Sequence, residues 1–140
     1  MLAVIRIYAR VVADLWHPGH VRFFRAARDL GNHLTVSVVP DDRVAAYKGR
    51  RPLLDLAARV ELVAACRWVD EVITDGPRVT TLDFMTSRNF HVYAFGAANS
   101  QERAARLADC RELPAVMRRE IPYTHGISSS QLRQRLKHPS

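Results

Sequence analysis

Two short stretches hold the residues whose types and spacing suit chemistry. Asp14-Leu15-Trp16-His17-Pro18-Gly19-His20-Val21 carries two histidines three apart, with a proline and a glycine between them. A proline just inside a helix start is well placed, because the N–H groups of the first turn have no intrahelical partner. The stretch therefore reads as a strand-to-helix turn where two imidazoles stand beside free backbone donors. That is a site for an anion, with two further donors or proton handlers attached. Histidines at this spacing also occur as plain caps or surface residues. A metal site needs further ligands, and only Asp14 is near. The second stretch is Gly126-Ile127-Ser128-Ser129-Ser130-Gln131-Leu132-Arg133. Its serines open a helix, and Gln131 is placed as the partner of a capping box. Alone it reads as a cap. Beside the histidines, its N–H groups and hydroxyls suit phosphate oxygens, and its positive end suits negative charge.

The elements that must position these stretches alternate along the chain. Leu2 to Ala9 reads as a buried strand, and Val21 to Leu30 as a helix with Val21, Phe24, Ala27 and Leu30 on one face. Leu34 to Val39 is the second strand, stopped by Pro40, and Arg43 to Arg51 reads as a basic loop. Leu53 to Cys66 is a helix with Leu56, Val60 and Val63 on one face, followed by a strand over Val69 to Thr74. Val79 to Arg88 reads as a short helix and His91 to Phe95 as the fourth strand. Asn99 and Glu102 form a capping box for a helix reaching Cys110. Val116 to Ile121 is a fifth strand weakened by Arg118 and Arg119, and the last helix runs from Ser128 to about Leu136. This alternation implies a single α/β domain over residues 1–140, a parallel sheet with helices on both faces. In such folds a ligand sits beyond the carboxyl ends of the strands, where the first histidine stretch lies.

Composition narrows the partners. Hydrophobic residues make up 48% and charged residues 25%, ordinary for a globular domain. The formal net charge is +7, and all but two of the 21 basic residues are arginine, the exceptions being Lys48 and Lys137. That favours an anionic partner, nucleic acid or a phosphate-rich small molecule. No RNA-binding motif is present and aromatics are only 8%, so the small molecule is preferred. The first apolar run carries Arg6, Arg10 and Asp14, which excludes a signal peptide or membrane span there. Cys66 and Cys110 form no metal pattern and are expected to be reduced, buried thiols of a cytoplasmic protein.

His17-Pro18-Gly19-His20 resembles the HxGH motif of the nucleotidylyltransferase superfamily, and Gly126 to Ser130 resembles its second signature. The likeness runs from Ile5 to Leu136 and leans toward the small cytidylyltransferases acting on glycerol phosphate, phosphoethanolamine or phosphocholine. It implies a Rossmann-like sheet of about five strands in the order 3-2-1-4-5, and a homodimer. It implies transfer of CMP from CTP to a small phosphorylated or phosphonylated alcohol, with release of pyrophosphate. Catalytic residues are then His17, His20 and Lys48, the last matching a mobile-loop lysine. Asp14, Gly19, Arg59, Gly96, Ile127, Ser128, Ser129 and Ser130 are expected to bind the nucleotide. No side-chain metal site is expected, and Mg²⁺ is expected to arrive with the triphosphate.

Three segments depart from the family pattern. Val11-Val12-Ala13-Asp14 stands where relatives have GTFD, and Phe95-Gly96-Ala97-Ala98 where they have a Gly-Asp-Asp segment near the base. Tyr123-Thr124-His125 replaces Arg-Thr-Glu, so a familiar phosphate-binding arginine is absent. His125, Tyr123, Arg118 and Arg119 are the expected substitutes around an uncommon acceptor, for which 2-hydroxyethylphosphonate is a candidate. The other readings are an adenylyltransferase of the same superfamily, a relative that binds nucleotide without turnover, and an RNA-binding module.

Overall fold

The structure, a computed structural model, describes residues 3–123 and 129–137. Five strands form one parallel sheet: β1 (Arg6–Val11), β2 (His33–Val38), β3 (Glu71–Ile73), β4 (Val92–Phe95) and β5 (Arg118–Glu120). Their order is β3-β2-β1-β4-β5, the Rossmann-like order expected. Six helices accompany them: α1 (Pro18–Arg28), α2 (Asp41–Lys48), α3 (Leu56–Ala64), α4 (Leu82–Ser87), α5 (Ser100–Asp109) and α6 (Ser129–Lys137). A single 3-10 turn over Ala115–Met117 leads into β5.

Side-chain alternation along the central strand sorts the helices into two layers. Ile7 and Ala9 of β1 join Leu34, Val36 and Val38 of β2 in a core with Phe24, Ala27 and Val63 of α1 and α3. Tyr8 points the other way, into a second core with Met85, Phe90, Tyr93, Phe95, Cys110 and Leu113. Cys66 and Cys110 are both buried and unpaired. Among the described residues no helix is long and apolar enough to cross a membrane.

Two local expectations change. β1 starts at Arg6 rather than Leu2, because its partner β2 begins opposite it at His33, and Val4 and Ile5 are left exposed. The supposed loop after Pro40 is mostly helix α2, with Asp41 and Asp42 in its first turn and Lys48 in its last. Gly49 closes it at φ 75°, a left-handed conformation that glycine adopts without steric cost. Among the described side chains of this helix only Val44 is deeply buried, so it shows little of the apolar stripe that marks a helix in sequence.

Candidate active site

The turn from β1 to α1 is held in an uncommon shape. Ala13 and Leu15, neither of them glycine, take φ values of 59° and 49° on either side of Asp14. The reversal directs Asp14 inward, where it is 2% exposed. Its carboxylate accepts hydrogen bonds from the backbone N–H groups of Leu53 at 2.9 Å and Leu54 at 3.1 Å. Arg133 of α6 donates to it at 2.6 Å. Burial alone raises a carboxyl pKa, but these two N–H donors and the guanidinium overcome it and hold Asp14 below the usual range. One carboxylate thus ties the first motif to α6 and to the segment that opens α3.

The two histidines cap α1 reciprocally. His17 is the N-cap, and its Nδ1 accepts from the N–H of Gly19 at 3.0 Å. The Nδ1 of His20 accepts from the N–H of His17 at 3.2 Å. With both Nδ1 atoms serving as acceptors, a neutral ring carries its proton on Nε2 in each case. Burial lowers the pKa of His17. Burial also pushes His20 down to about 4, with the adjacent His17 adding to the effect. Both rings are therefore neutral donors at physiological pH. Their centroids are 4.0 Å apart, and Trp16 stacks on His20 at 5.3 Å with nearly parallel planes.

These groups face a cavity of about 950 Å³ over the carboxyl ends of the strands. Of the residues singled out from sequence, Asp14, His17, Gly19, His20, Lys48, Gly96 and Tyr123 line it. Lys48, at the end of α2, is accessible to solvent yet enclosed by the cavity mouth. Desolvation there and the nearby Arg133, Arg50 and Arg106 lower its pKa. A Cβ on Gly96 would meet the Phe23 ring at 3.4 Å, an ordinary contact, so this glycine answers no backbone need.

Other expected residues stand elsewhere. Arg59 does not line the cavity: its side chain is fully buried beneath the strand ends. It donates to the carbonyls of Leu54 at 3.0 Å and of Val12 and Val39 at 2.8 Å, and it pairs with Asp41. It joins these elements, and its guanidinium faces carbonyls and Asp41 rather than the cavity. Arg118 and Arg119 also lie outside the lining. They occupy the edge strand, Arg118 near the Cys110 thiol and Arg119 bonded to the Val116 carbonyl at 3.2 Å. His125, Ile127 and Ser128 fall outside the described residues. Ser129 and Ser130 begin α6, with their side chains outside the described set.

The cations that do line the cavity were missed in sequence: Arg10, Arg22, Arg43, Arg78, Arg106 and Arg133. Arg10 had a legible signal, as a charged residue two positions beyond Tyr8 on one face of a buried strand. Among the described residues, no group of three or more His, Cys, Asp or Glu is arranged to hold a metal ion.

A family model described as cytidylyltransferase-like matches residues 12–135. The chain belongs to the cytidylyltransferase-like family. It is 35% identical over 133 residues to the ethanolamine-phosphate cytidylyltransferase of Arabidopsis thaliana, covering 91% of this chain and 31% of that one. It is 30% identical over 129 residues to the FAD synthase of Thermococcus kodakarensis, covering 92% of this chain and 78% of that one. The chain thus spans about a third of the plant cytidylyltransferase. The lipopolysaccharide core biosynthesis protein from Thermoplasma volcanium GSS1 shares the fold, with a TM-score of 0.66 and 22% identity over 89% of this chain and all of that one. The cation-rich cavity of this cytidylyltransferase-like chain has the charge for a polyanionic ligand.

Proposed function

We propose that this chain transfers CMP from CTP to a small phosphorylated or phosphonylated alcohol and releases pyrophosphate, with 2-hydroxyethylphosphonate among the candidate acceptors. The observation that carries the reading is the reciprocal capping of His17 and His20. It leaves both Nε2–H groups for a ligand while the helix end stays satisfied. An acceptor oxygen, already anionic, attacks the α-phosphorus and needs no strong base. The new O–P bond forms as the bond to the bridging oxygen breaks, and pyrophosphate departs with that electron pair. His17 and His20 donate to the α-phosphate and the bridging oxygen as charge grows there. Lys48 and Arg133, neighbours in the cavity lining, neutralise the triphosphate. Mg²⁺ fits this site as an ion carried by the phosphates, because the lining offers scattered carboxylates rather than a cage. A homodimer belongs to the same proposal, by likeness to the small cytidylyltransferases.

A second reading, transfer of AMP from ATP, is favoured by the FAD synthase relatives and by the lack of an acidic side chain in Phe95-Gly96-Ala97-Ala98. Pyrophosphate release with each nucleoside triphosphate, against a panel of phospho- and phosphono-alcohols, separates the two. The expected result is CTP-dependent release. His17→Ala and His20→Ala are expected to lower kcat by about 10²–10³ while calorimetric triphosphate affinity changes far less. Release with ATP alone establishes the second reading. No release with any pair leaves a chain that only binds nucleotide.

A further inference from the structure

The cavity has two chemically different wings, divided by the central strand β1. On the side of β4 and β5 its wall is made by Phe95, Gly96, Ala97, Ala98 and Ile121, small or apolar groups suited to a base and ribose. Much of the rest of the wall is built from arginine. Arg43 comes from α2 and Arg78 from the segment after β3, and Arg10 and Arg106 meet them from β1 and α5.

The guanidinium groups of Arg10, Arg43 and Arg106 are anchored. Arg43 donates to the Gly76 carbonyl at 2.6 Å, and Arg10 donates to the Arg78 carbonyl at 2.7 Å. Gly76 packs so closely on the sheet that a Cβ there would lie 2.3 Å from the Tyr8 hydroxyl and 2.4 Å from the Ser37 hydroxyl. Only the bare glycine backbone can bring that carbonyl to Arg43. Asp109 is the carboxylate of this wing, and it is shared by Arg106 at 3.2 Å and Arg10 at 4.0 Å. The Arg10 side chain is 11% exposed, and its Nε is buried with no partner among the described residues. Four guanidinium groups against one carboxylate leave an unfilled demand for negative charge.

The reacting phosphate or phosphonate belongs beside His17 and His20, on α1. Arg10 lies on the opposite face of β1, the face of Tyr8. The arginine wing is therefore offset from the reacting centre, where the remote end of an acceptor would extend. Resting on the nucleotidyl-transfer reading above, we propose that the acceptor is anionic at both ends. One end is the phosphate or phosphonate that attacks, and the other is a carboxylate or a second phosphate or phosphonate held by Arg10, Arg43 and Arg78. Arginine forks bind such groups in a bidentate manner. The same wing excludes an ammonium end, since like charges brought together in a site are strongly disfavoured. The substrate class is thus a phosphorylated or phosphonylated hydroxy acid, unlike the ethanolamine phosphate named for the plant relative.

Three phosphonates that differ only at the remote end test this: 3-phosphonopropionate, 2-hydroxyethylphosphonate and 2-aminoethylphosphonate. The expected order of kcat/KM is carboxylate first, hydroxyl about 10-fold lower and ammonium about 100-fold lower. Arg78→Gln, at an exposed side chain that the fold tolerates, and Arg10→Gln are each expected to raise KM for the carboxylate compound about 10-fold. KM for the triphosphate rises far less in both, since removing one cavity charge only slightly weakens the general attraction for anions. Equal constants for the carboxylate and hydroxyl compounds overturn the proposal, because the arginines then serve only the reacting group. A preference for the ammonium compound overturns it too. If no pair releases pyrophosphate, the proposed function has failed and not this inference, which calorimetric binding of the same three compounds then decides by the same order.

Discussion

His20 shows how burial can set the protonation of a side chain. A proton added to its ring would go to Nδ1, where the His17 N–H already points. Burial and the neighbouring imidazole act in the same direction, so the folded ring titrates near 4 against 6.5 for a free one. Between those two values the unfolded chain holds a proton that the folded chain does not. Stability therefore rises with pH through this window and falls as the solution is acidified from 6.5 toward 4. The loss approaches about 3 kcal/mol for the full shift, less whatever solvent screens at the ring's accessible edge. Denaturant titrations at stepped pH are expected to show it, and His20→Gln to flatten the slope. A slope that survives in the variant would assign it to other groups. The histidines and their spacing were visible in the sequence. The tautomer lock was not, because it depends on which ring nitrogen meets which backbone N–H, and the spacing of the histidines does not disclose that. The burial of Arg59 also had a signal in the sequence. Arg59 lies three residues after Leu56 and four before Val63, on the apolar side of α3, and that position marks an arginine destined for burial.

At the scale of elements, Arg59 joins parts that the sheet alone leaves separate. Its bonds reach the residue after β1, the residue after β2, the first turn of α2 and the segment before α3. Removing the guanidinium strands three carbonyls and the Asp41 carboxylate with their partner gone. Arg59→Met is expected to cost more than about 3 kcal/mol, the range seen when one member of a buried charged pair is deleted. Arg59→Lys is expected to recover little of it, because a single ammonium cannot span the fork. Thermal melts of both variants check the stability. A kinetic readout is expected to follow, since Val12 and Val39 carry the cavity floor, so triphosphate KM rises together with the loss of melting temperature. A variant that melts normally yet loses triphosphate affinity would return Arg59 to direct contact. Helix α2 was the element that sequence hid. Its aspartates, Lys48 and Gly49 mark both ends of a helix, but with Val44 alone deeply buried among its described side chains the periodicity between those ends is faint. The strands and the remaining helices were legible because burial on both faces of a parallel sheet forces apolar runs, and capping residues such as Asn99 punctuate them.

At the scale of the whole molecule the net charge of +7 is not spread evenly. Six arginines and Lys48 line one cavity whose carboxylates are Asp14, Glu102 and Asp109. Asp14 is engaged by Arg133, and Asp109 is shared by Arg10 and Arg106, so neither offsets much of the remaining charge. The composition disclosed the excess of arginine but not its convergence, which arises from strand order: segments far apart in the chain meet at the carboxyl edge of β1. A concave, low-dielectric site with one sign of charge focuses its field and draws in a highly charged ligand. The expected consequence is a kcat/KM for the triphosphate that falls about 10-fold between about 0.1 M and about 1 M salt, as the screening length drops from about 10 Å to about 3 Å. Because kcat reflects charge held at contact distance inside the site, it is expected to change little over the same range. Stopped-flow measurement of triphosphate association against ionic strength separates the two terms directly. An association rate indifferent to salt, with kcat falling instead, would mean that the arginines act only by contact and that the molecule as a whole does no steering. A steep salt dependence for a single-stranded RNA oligomer, tighter than for the triphosphate, would instead assign the charge to a nucleic-acid surface.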